Sequence, residues 1–307
     1  MTVVGLFCLA TGAFIKAATG NSSKHESILF KELWNQLEKG DFLVTDRGFC
    51  SFATFANMLM RGVDALMRLP EIKIRQAIGA KLPKGDSFDV IIEWKRPSQR
   101  PKSMTEEEFA LLPESIPLRV VRYTIAQAGF RTEKVTLVTT LLDAEIMPEE
   151  FAALYFQRWG IELHFREIKT FMQMDVLRCL TPKMIERELQ MHIVAYNLIR
   201  CVMQKSALTH DADLSRLSFK GCMDTVRQFA NTMQGAANKP KTIEAMVDEM
   251  LSAIARDLNP DRPNRSEPRV RKRRPKNYKL LTKPRRQTGN QPHRNRGAKV
   301  QPKKVLS

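Results

Sequence analysis

Five side chains that can bind anions or cations recur at helical spacing between residues 155 and 169. They are Tyr155, Arg158, Glu162, Arg166 and Lys169. At about 100° per residue, four of them lie within roughly 60° of one another around a helix, and Arg166 lies beside them. A carboxylate flanked by cations on one helix face suits contact with a metal ion and phosphate groups. The alternative is a solvated face on which Glu162 pairs with Arg166 four residues later.

A second candidate carboxylate follows a short apolar run. Residues 41–45 predict a buried strand, and Asp46, Arg47, Gly48 and Phe49 come directly after it. An Asp at the C-terminal end of a buried strand is well placed to present its carboxylate at a site. The alternative is an ordinary strand-to-helix turn, in which Asp and Gly are common.

Hydrophobic periodicity predicts the elements that position these residues. The predicted strands are two within residues 2–18, joined near Thr11 and Gly12, and then 41–45, 65–69, 88–94, 118–124 and 135–142. The predicted helices are 26–37, 51–60, 148–172, 183–204 and two between 217 and 258. This alternation predicts a mixed α/β domain. Its middle, residues 70–133, combines β-like runs with Lys, Pro and Gly and is predicted to be a β-rich insertion.

The charge of the chain is concentrated at its C-terminal end. The 307 residues carry a net charge of +17. Residues 259–307 contain 17 Lys and Arg against two acids, which leaves +2 for the rest. This tail, including Arg271, Lys272, Arg273 and Arg274, is predicted to be disordered and to bind an anionic polymer such as nucleic acid.

Other composition features exclude several classes of protein. The five cysteines are scattered and form no C-x-x-C pair, which disfavours a zinc site or a disulfide framework and favours a reducing cytoplasm. The apolar residues 3–10 lack the preceding basic residues of a signal peptide. No segment has the ~18 uninterrupted apolar residues of a membrane span. We therefore expect that the protein has neither a membrane nor a small-molecule substrate among its partners.

Together, the two motifs resemble those of DDE transposases of bacterial insertion sequences, in the family numbered four. That family has a Y-x2-R-x3-E-x6-K signature, which Tyr155, Arg158, Glu162 and Lys169 match, and a D-x-G-F/Y motif, which Asp46, Gly48 and Phe49 match. The resemblance covers residues 1–290. It also includes a β-rich insertion between the second Asp and the Glu, and a basic tail.

The resemblance implies a ribonuclease H-like core with a mixed sheet. The core would comprise residues 1–69 and 134–210, with the insertion at 70–133, C-terminal helices at 211–258 and the tail at 259–307. It implies a transposase that cleaves DNA and transfers strands in transposition. The reaction would use two divalent ions, Mg²⁺ or alternatively Mn²⁺. The implied metal ligands and catalytic residues are Asp46 and Glu162. Tyr155, Arg158, Lys169, Arg166 and Arg47 would contact DNA at the transposon end.

One feature departs from the family. Its first catalytic Asp lies on the first strand of the core, but this sequence has no Asp or Glu before Glu26. We therefore expect a truncated form, lacking that strand, which cleaves and joins DNA poorly or not at all alone. Its expected partners are transposon-end and target DNA, in the bacterial nucleoid, and a second copy or a full-length transposase.

Two other classes of function compete with the enzyme. One is a non-catalytic DNA-binding protein that pairs with full-length transposase through the C-terminal helices and inhibits it. The other is a basic-tailed structural nucleic-acid binder, which does not explain the ordered signature. Among single residues, we expect Trp34, Trp94 and Trp159 to pack in the core, with base stacking as the alternative for Trp94. His164, opposite the signature face, is expected to be structural or simply exposed.

Overall fold

The computed structural model describes most of the chain up to Pro260. The described residues are 1–69, 83, 85–101, 103–125, 133–236 and 238–260. The basic cluster Arg271, Lys272, Arg273 and Arg274 lies outside these ranges, as do residues 70–82 and 126–132 of the predicted insertion. Within them, no helix combines the length and apolar character needed to cross a membrane.

The described chain alternates strands and helices, as the periodicity predicts. The strands are β1 (Thr2–Phe7), β2 (Phe14–Gly20), β3 (Phe42–Thr45), β4 (Asp64–Arg68), β5 (Phe88–Lys95), β6 (Ser115–Ile125) and β7 (Glu133–Thr139). The α-helices are α1 (Glu26–Leu33), α2 (Phe52–Arg61), α3 (Glu106–Ala110), α4 (Pro148–Gln157), α5 (Trp159–Arg166), α6 (Pro182–His210), α7 (Phe219–Gly235) and α8 (Pro240–Arg256). A 3-10 turn, Trp34–Gln36, extends α1. The fold is mixed α/β with a mixed sheet, which is consistent with a ribonuclease H-like core.

The main sheet has five strands in the order β3-β4-β7-β6-β5. β3 runs parallel to β4, and the other neighbours are antiparallel. The strands of the predicted insertion, β5 and β6, therefore pair with each other and with β7 in the same sheet. Their hydrogen bonds extend the sheet on the side opposite β3.

The first two strands form a separate hairpin. β1 and β2 pair antiparallel through Thr2 and Gly20 to Phe7 and Phe14, which confirms the pair predicted within residues 2–18. Gly12 lies in the turn with a φ of +70°, a conformation that glycine adopts without strain. A Cβ there would also lie 2.5 Å from the Arg200 guanidinium. The turn is thus held close to α6.

The helix predicted over residues 148–172 is not a single α-helix. Arg158 separates α4 from α5, and it makes 3-10-type bonds, accepting from Ile161 N at 3.0 Å and donating to Tyr155 O at 3.2 Å. Glu167–Phe171 then widens into a π-helix. The uniform α-helix of the prediction is therefore wrong. Gly160 weakens the helix at this point. The prediction missed the change because hydrophobic periodicity in the sequence does not indicate a local change of helix pitch.

Three apolar clusters hold the described residues together. The first joins α1, α2 and one face of β3, β4 and β6, and it includes Trp34 and Trp94. The second joins one face of the hairpin to α6, α7 and α8. The third packs α4 against the opposite face of the main sheet. Burial of Trp34 and Trp94 confirms their predicted core packing, whereas Trp159 is 54% exposed and that prediction is wrong.

The C-terminal helices predicted between residues 217 and 258 are confirmed as α7 and α8. Ser206 on α6 is fully buried and donates to Leu251 O on α8 at 2.7 Å. A second contact follows α8, where the backbone amide of Asn259 donates to Arg216 O at 2.6 Å. The folded part of the chain thus includes Asn259.

Candidate functional site

Asp46 lies at the first residue after β3. Leu43, Val44 and Thr45 are buried, whereas Asp46 itself is exposed. Its Oδ1 accepts a hydrogen bond from the amide of Arg47 at 2.7 Å, and its carbonyl accepts from Phe49 N at 3.1 Å. These bonds form the turn that leads into α2. No hydrogen bond to the other carboxylate oxygen occurs among the described residues.

Glu162 lies on α5 with its side chain 55% exposed. Its Oε1 is 3.7 Å from Nη2 of Arg158, which lies one turn earlier. That distance is an ion pair rather than a close hydrogen bond. The pairing with Arg166 proposed as an alternative for this helix face is not among the ion pairs of the described residues. Arg158 therefore neutralises Glu162 while leaving much of the carboxylate accessible.

A cavity of about 490 Å³ brings the two carboxylates together. Asp46, Arg158 and Glu162 all line it, although 116 residues separate Asp46 from Glu162. The remaining lining comes mainly from β1, α1, β3 and α5 and is mostly apolar, but it also includes Glu26, Gln36 and Asp41. Asp46, Glu162 and Arg158 thus share one cavity whose lining is mostly apolar.

Tyr155 and Arg158 carry polar atoms that are buried without hydrogen-bond partners. Tyr155 is 6% exposed, and both its hydroxyl and Nε of Arg158 lack a partner in the described structure. The guanidinium lies 5.4 Å from the Tyr155 ring centre and 5.7 Å from that of Trp159. Burial raises the pKa of Tyr155, and the positive charge of Arg158 opposes that rise. Such orphaned donors are rare in folded proteins and point to a missing acceptor.

The other predicted site residues lie outside the cavity lining. Arg47, Arg166 and Lys169 are exposed. Lys169 lies on the π-helix with its ammonium 5.4 Å from the ring centre of Phe165, a residue that does line the cavity. These cations therefore surround the cavity rather than entering it.

Sequence reasoning missed Arg68, the last residue of β4. Thr45 of β3 pairs with Met67 of β4 in parallel register, so Asp46 and Arg68 leave the sheet at the same level. The charges of both act on the pKa of Tyr155, Asp46 raising it and Arg68 lowering it. The signal that could have identified Arg68 was its position as a basic residue at the end of β4, the strand that pairs with β3.

The buried side of α5 is anchored to the hairpin. His164 is 3.0 Å from Glu167, and the ring of His164 stacks on Phe7. The hydroxyl of Tyr196 on α6 donates to Gly12 O at 2.8 Å and lies 3.5 Å from Glu167. The structural role expected for His164 is confirmed. These contacts orient the opposite face of α5, which carries Glu162.

The donor set of the cavity suits a divalent cation only in part. Carboxylate oxygens are the ligands that Mg²⁺ prefers. However, no cluster of three or more His, Cys, Asp or Glu side chains placed to hold a metal occurs in the described ranges. Asp46 and Glu162 both line the cavity, and by themselves they would give an incomplete set of ligands.

Comparison with known proteins agrees with the two motifs. A family model described as "Transposase DDE domain" matches residues 1–198, a range that contains Asp46 and the whole Tyr155 to Lys169 signature. The chain is also 31% identical over 274 residues to transposase InsG for insertion sequence element IS4 of Escherichia coli (strain K12). The match covers 87% of this chain and 58% of that relative. The chain thus spans less than two thirds of the relative's length.

Proposed function

Because the chain belongs to the DDE transposase family, in the insertion-sequence group numbered four, we propose that its cavity takes part in metal-dependent DNA cleavage and strand transfer. The observation that carries the proposal is the meeting of Asp46, Glu162 and Arg158 on one cavity. A turn after a strand and a helix distant in sequence provide the two carboxylates. Their shared position on the cavity lining favours a common site.

We assign Asp46 and Glu162 as the catalytic metal ligands. The family uses divalent metal, and the oxygen donors here favour Mg²⁺, with Mn²⁺ as a substitute. Two such ions, when bound, activate an attacking oxygen and stabilise the leaving oxygen of a phosphodiester. The role of the chain itself is to hold the two carboxylates, one in the turn after β3 and one on α5, and to keep Arg158 beside Glu162.

The orphaned polar atoms supply a place for a phosphate. Nε of Arg158 and the hydroxyl of Tyr155 both lack an acceptor, and a phosphodiester oxygen would provide one. Arg gives directional contacts to phosphate, whereas Lys acts as a point charge. We therefore assign Tyr155 and Arg158 to the phosphate near the reacting bond. Arg47, Arg166 and Lys169 are assigned to the flanking DNA backbone.

Lys169→Ala is expected to weaken binding to transposon-end DNA and to reduce the salt dependence of binding by about one phosphate contact, a slope change of roughly 0.9. The physical reason is loss of one exposed cation beside the cavity. Fluorescence anisotropy with a duplex carrying the element's terminal repeat, from 50 to 200 mM salt, measures both quantities.

Arg227→Ala is the matched control, because Arg227 is an exposed cation on α7 that pairs with Asp224. It should leave the slope at the parent value. Equal effects of the two substitutions would remove Lys169 from the DNA-contacting face.

The tail gives a second, independent DNA contact in this proposal. Removing residues 261–307 removes 17 Lys and Arg and retains Asn259, which contacts the folded part. We expect the shortened chain to lose most of its non-specific DNA affinity, with a salt slope smaller by several units. Titration of a duplex of unrelated sequence measures this. An unchanged slope would contradict a DNA-binding role for the tail.

A non-catalytic function is a second candidate because the described ranges hold no group of three or more His, Cys, Asp or Glu side chains placed to bind a metal. The exposed face of α6 supports pairing with a second copy or with a full-length transposase. That face carries Met191, Val194 and Leu198, which are 51% to 66% exposed at three- and four-residue spacing. Strand transfer with Mg²⁺ or Mn²⁺ on transposon-end DNA separates the candidates. The chain alone should give little product, and strong inhibition of an active transposase would favour the pairing function.

A further inference from the structure

Another cavity, of about 300 Å³, lies beside α1 and α2. Its lining comes from α1 and the 3-10 turn that extends it, from the C-terminal half of α2, and from the segment around α3. It shares no lining residue with the cavity of Asp46 and Glu162. We call it the α1–α2 cavity. Its size is at the lower end of the range of small-ligand sites, which is roughly 300–1,000 Å³.

The indole of Trp34 is the strongest indication of a ligand in this cavity. Trp34 lines the cavity and is 6% exposed, and its Nε1 is buried without a hydrogen-bond partner in the described structure. The ring otherwise packs edge-on against Phe30 within the first apolar cluster. Indole Nε1 is only a donor, and buried donors almost always have an acceptor. The cavity is therefore the side from which an acceptor can come.

The charged side chains of the lining leave one positive charge in excess. Lys31 donates to Oε1 of Glu108, and Oε2 of Glu108 accepts from Thr105 N at 3.0 Å. Both oxygens of this carboxylate are thus engaged within the protein, and the bond from Lys31 lowers the pKa of Glu108. Arg61 is exposed at the end of α2 and belongs to no ion pair of the described residues. Its guanidinium is therefore available to an anion.

Hydrogen-bond donors outnumber acceptors in the α1–α2 cavity. Nδ2 of Asn57 donates to Ala53 O at 2.8 Å, which leaves its second N–H without use. The indole of Trp34 and the five N–H groups of Arg61 add further donors. A positive, donor-rich lining suits a ligand whose surface atoms are anionic oxygens. A phosphate offers three such acceptor oxygens, so it matches this lining better than a carboxylate, which offers two.

The wall formed by the segment around α3 is held by hydrogen bonds within the protein. Arg96 donates to Leu112 O at 2.7 Å, and Arg100 donates to Met104 O. Met104 and Leu112 are both buried and both line the cavity. These two arginines therefore support the wall, whereas the Arg61 guanidinium is left for a ligand.

The position of Arg61 separates this cavity from the carboxylates. α2 follows the Asp46 turn and runs for ten residues, from Phe52 to Arg61. At 1.5 Å per residue it is about 15 Å long, so Arg61 lies at the end of α2 that is remote from Asp46. A ligand of the α1–α2 cavity therefore leaves the proposed metal site unoccupied.

We propose that the α1–α2 cavity binds a phosphate group, which accepts hydrogen bonds from Nε1 of Trp34 and from the guanidinium of Arg61. The phosphate belongs to a small phosphorylated molecule or to the backbone of DNA, which present the same chemistry. Met60 and Leu111 also line the cavity and contact the group that carries the phosphate. The proposal uses neither Asp46 nor Glu162, and so it does not depend on the proposed function.

Nuclear magnetic resonance of the indole N–H groups tests the proposal at one identified atom. The chain has three Trp, and Trp34→Phe identifies the signal of Trp34 in the isotope-labelled 307-residue chain. Inorganic phosphate should shift this signal saturably, with a Kd on the order of 1 mM. Potassium chloride at the same ionic strength should not shift it. Trp94, which is buried outside the cavity, serves as the internal reference.

Two substitutions in the lining should each weaken this phosphate binding at least tenfold. Arg61→Gln removes the unpaired cation, and Leu111→Glu adds a negative charge at a residue that is 72% exposed. Arg227→Gln and Leu208→Glu make the same changes at exposed residues outside the cavity and should leave the titration unchanged. Circular dichroism identifies any variant that fails to fold, and the other lining variant then decides.

Two further ligands distinguish the sources of the phosphate. If the natural ligand is a small molecule, a deoxynucleoside monophosphate should shift the Trp34 signal and a short DNA duplex should not. If it is DNA, the duplex should shift the signal. Arg61→Gln should then also reduce the salt slope of duplex binding by about one phosphate contact, roughly 0.9. Either result supports the site.

Three outcomes would overturn the proposal. They are a Trp34 signal that none of the three phosphate ligands shifts, an equal shift with potassium chloride, and a phosphate titration that both lining variants leave unchanged. None of these outcomes bears on Asp46 and Glu162, because cleavage assays and metal binding test those residues separately. Failure of this site and failure of the proposed function are therefore distinguishable.

Discussion

Glu162→Gln is expected to abolish metal-dependent cleavage of transposon-end DNA in a form of the protein that carries a third carboxylate. That form is the 307-residue chain joined at Met1, through a flexible linker, to a strand bearing the first Asp that the family resemblance implies. The amide retains the shape of Glu162 but not its charge. Loss of one ligand charge removes about 4 kcal/mol of transition-state stabilisation, a rate loss on the order of 10³. Single-turnover cleavage of a labelled duplex measures the rate.

The control for this substitution is Glu149→Gln in the first turn of α4. Glu149 is exposed and does not line the cavity, so cleavage should continue at the parent rate. DNA-end binding should be retained in both variants, because neither removes a cation. Cleavage that survives Glu162→Gln would show that Glu162 is not a catalytic ligand.

The second large effect concerns stability rather than chemistry. Asp89→Ala should lower the free energy of unfolding by about 3 kcal/mol, because it leaves a buried guanidinium without its carboxylate. The Arg119 side chain is 5% exposed, and its Nη2 is 2.5 Å from Asp89. This bond raises the pKa of Arg119. Arg119 also donates to Asp143 O and lies 5.2 Å from the ring centre of Phe151 on α4.

Asp86→Ala provides the matched control on the same sheet. Its carboxylate pairs with Lys134, and the two side chains are 72% and 53% exposed. An exposed ion pair contributes roughly 0–1 kcal/mol, so this variant should unfold near the parent midpoint. Urea unfolding of both variants, with equal slopes, gives the comparison. Equal destabilisation by the two substitutions would contradict the structural role of Arg119.

The pairing of Arg119 also matters for the site. It links β6 to the segment before α4, and α4 leads through Arg158 to the helix that carries Glu162. The strands predicted to form an insertion therefore support, through α4, the helix that carries Glu162. This relation was not predictable, because residues 89, 119 and 143 are far apart in sequence and nothing in their local pattern indicates contact.

Short-range patterns predicted the elements well. The hairpin, α6 and the two C-terminal helices follow from periodicity and from turn residues such as Gly12. Hydrophobic periodicity did not predict the structure correctly where the helix pitch changes locally. At Arg158 the helix tightens, and Trp159 consequently lies 54% exposed beside the guanidinium rather than in the core.

The candidate site was predicted through its two motifs and not through its geometry. The spacing from Tyr155 to Lys169 placed all members on one face, but the structure buries Tyr155 and leaves Lys169 exposed. Arg68 was missed because its proximity to Asp46 depends on the register of β3 and β4.

Mapping of the metal with Fe²⁺ tests the central claim most directly, because it needs no catalytic activity. Fe²⁺ replaces Mg²⁺ at carboxylate sites and, with ascorbate and peroxide, cuts the backbone near the bound ion. We predict cuts close to both Asp46 and Glu162 in the 307-residue chain, competition by Mg²⁺, and loss of both cuts in Asp46→Asn but not in Glu149→Gln. Cuts elsewhere, or cuts at these positions that persist in Asp46→Asn, would contradict a shared metal site.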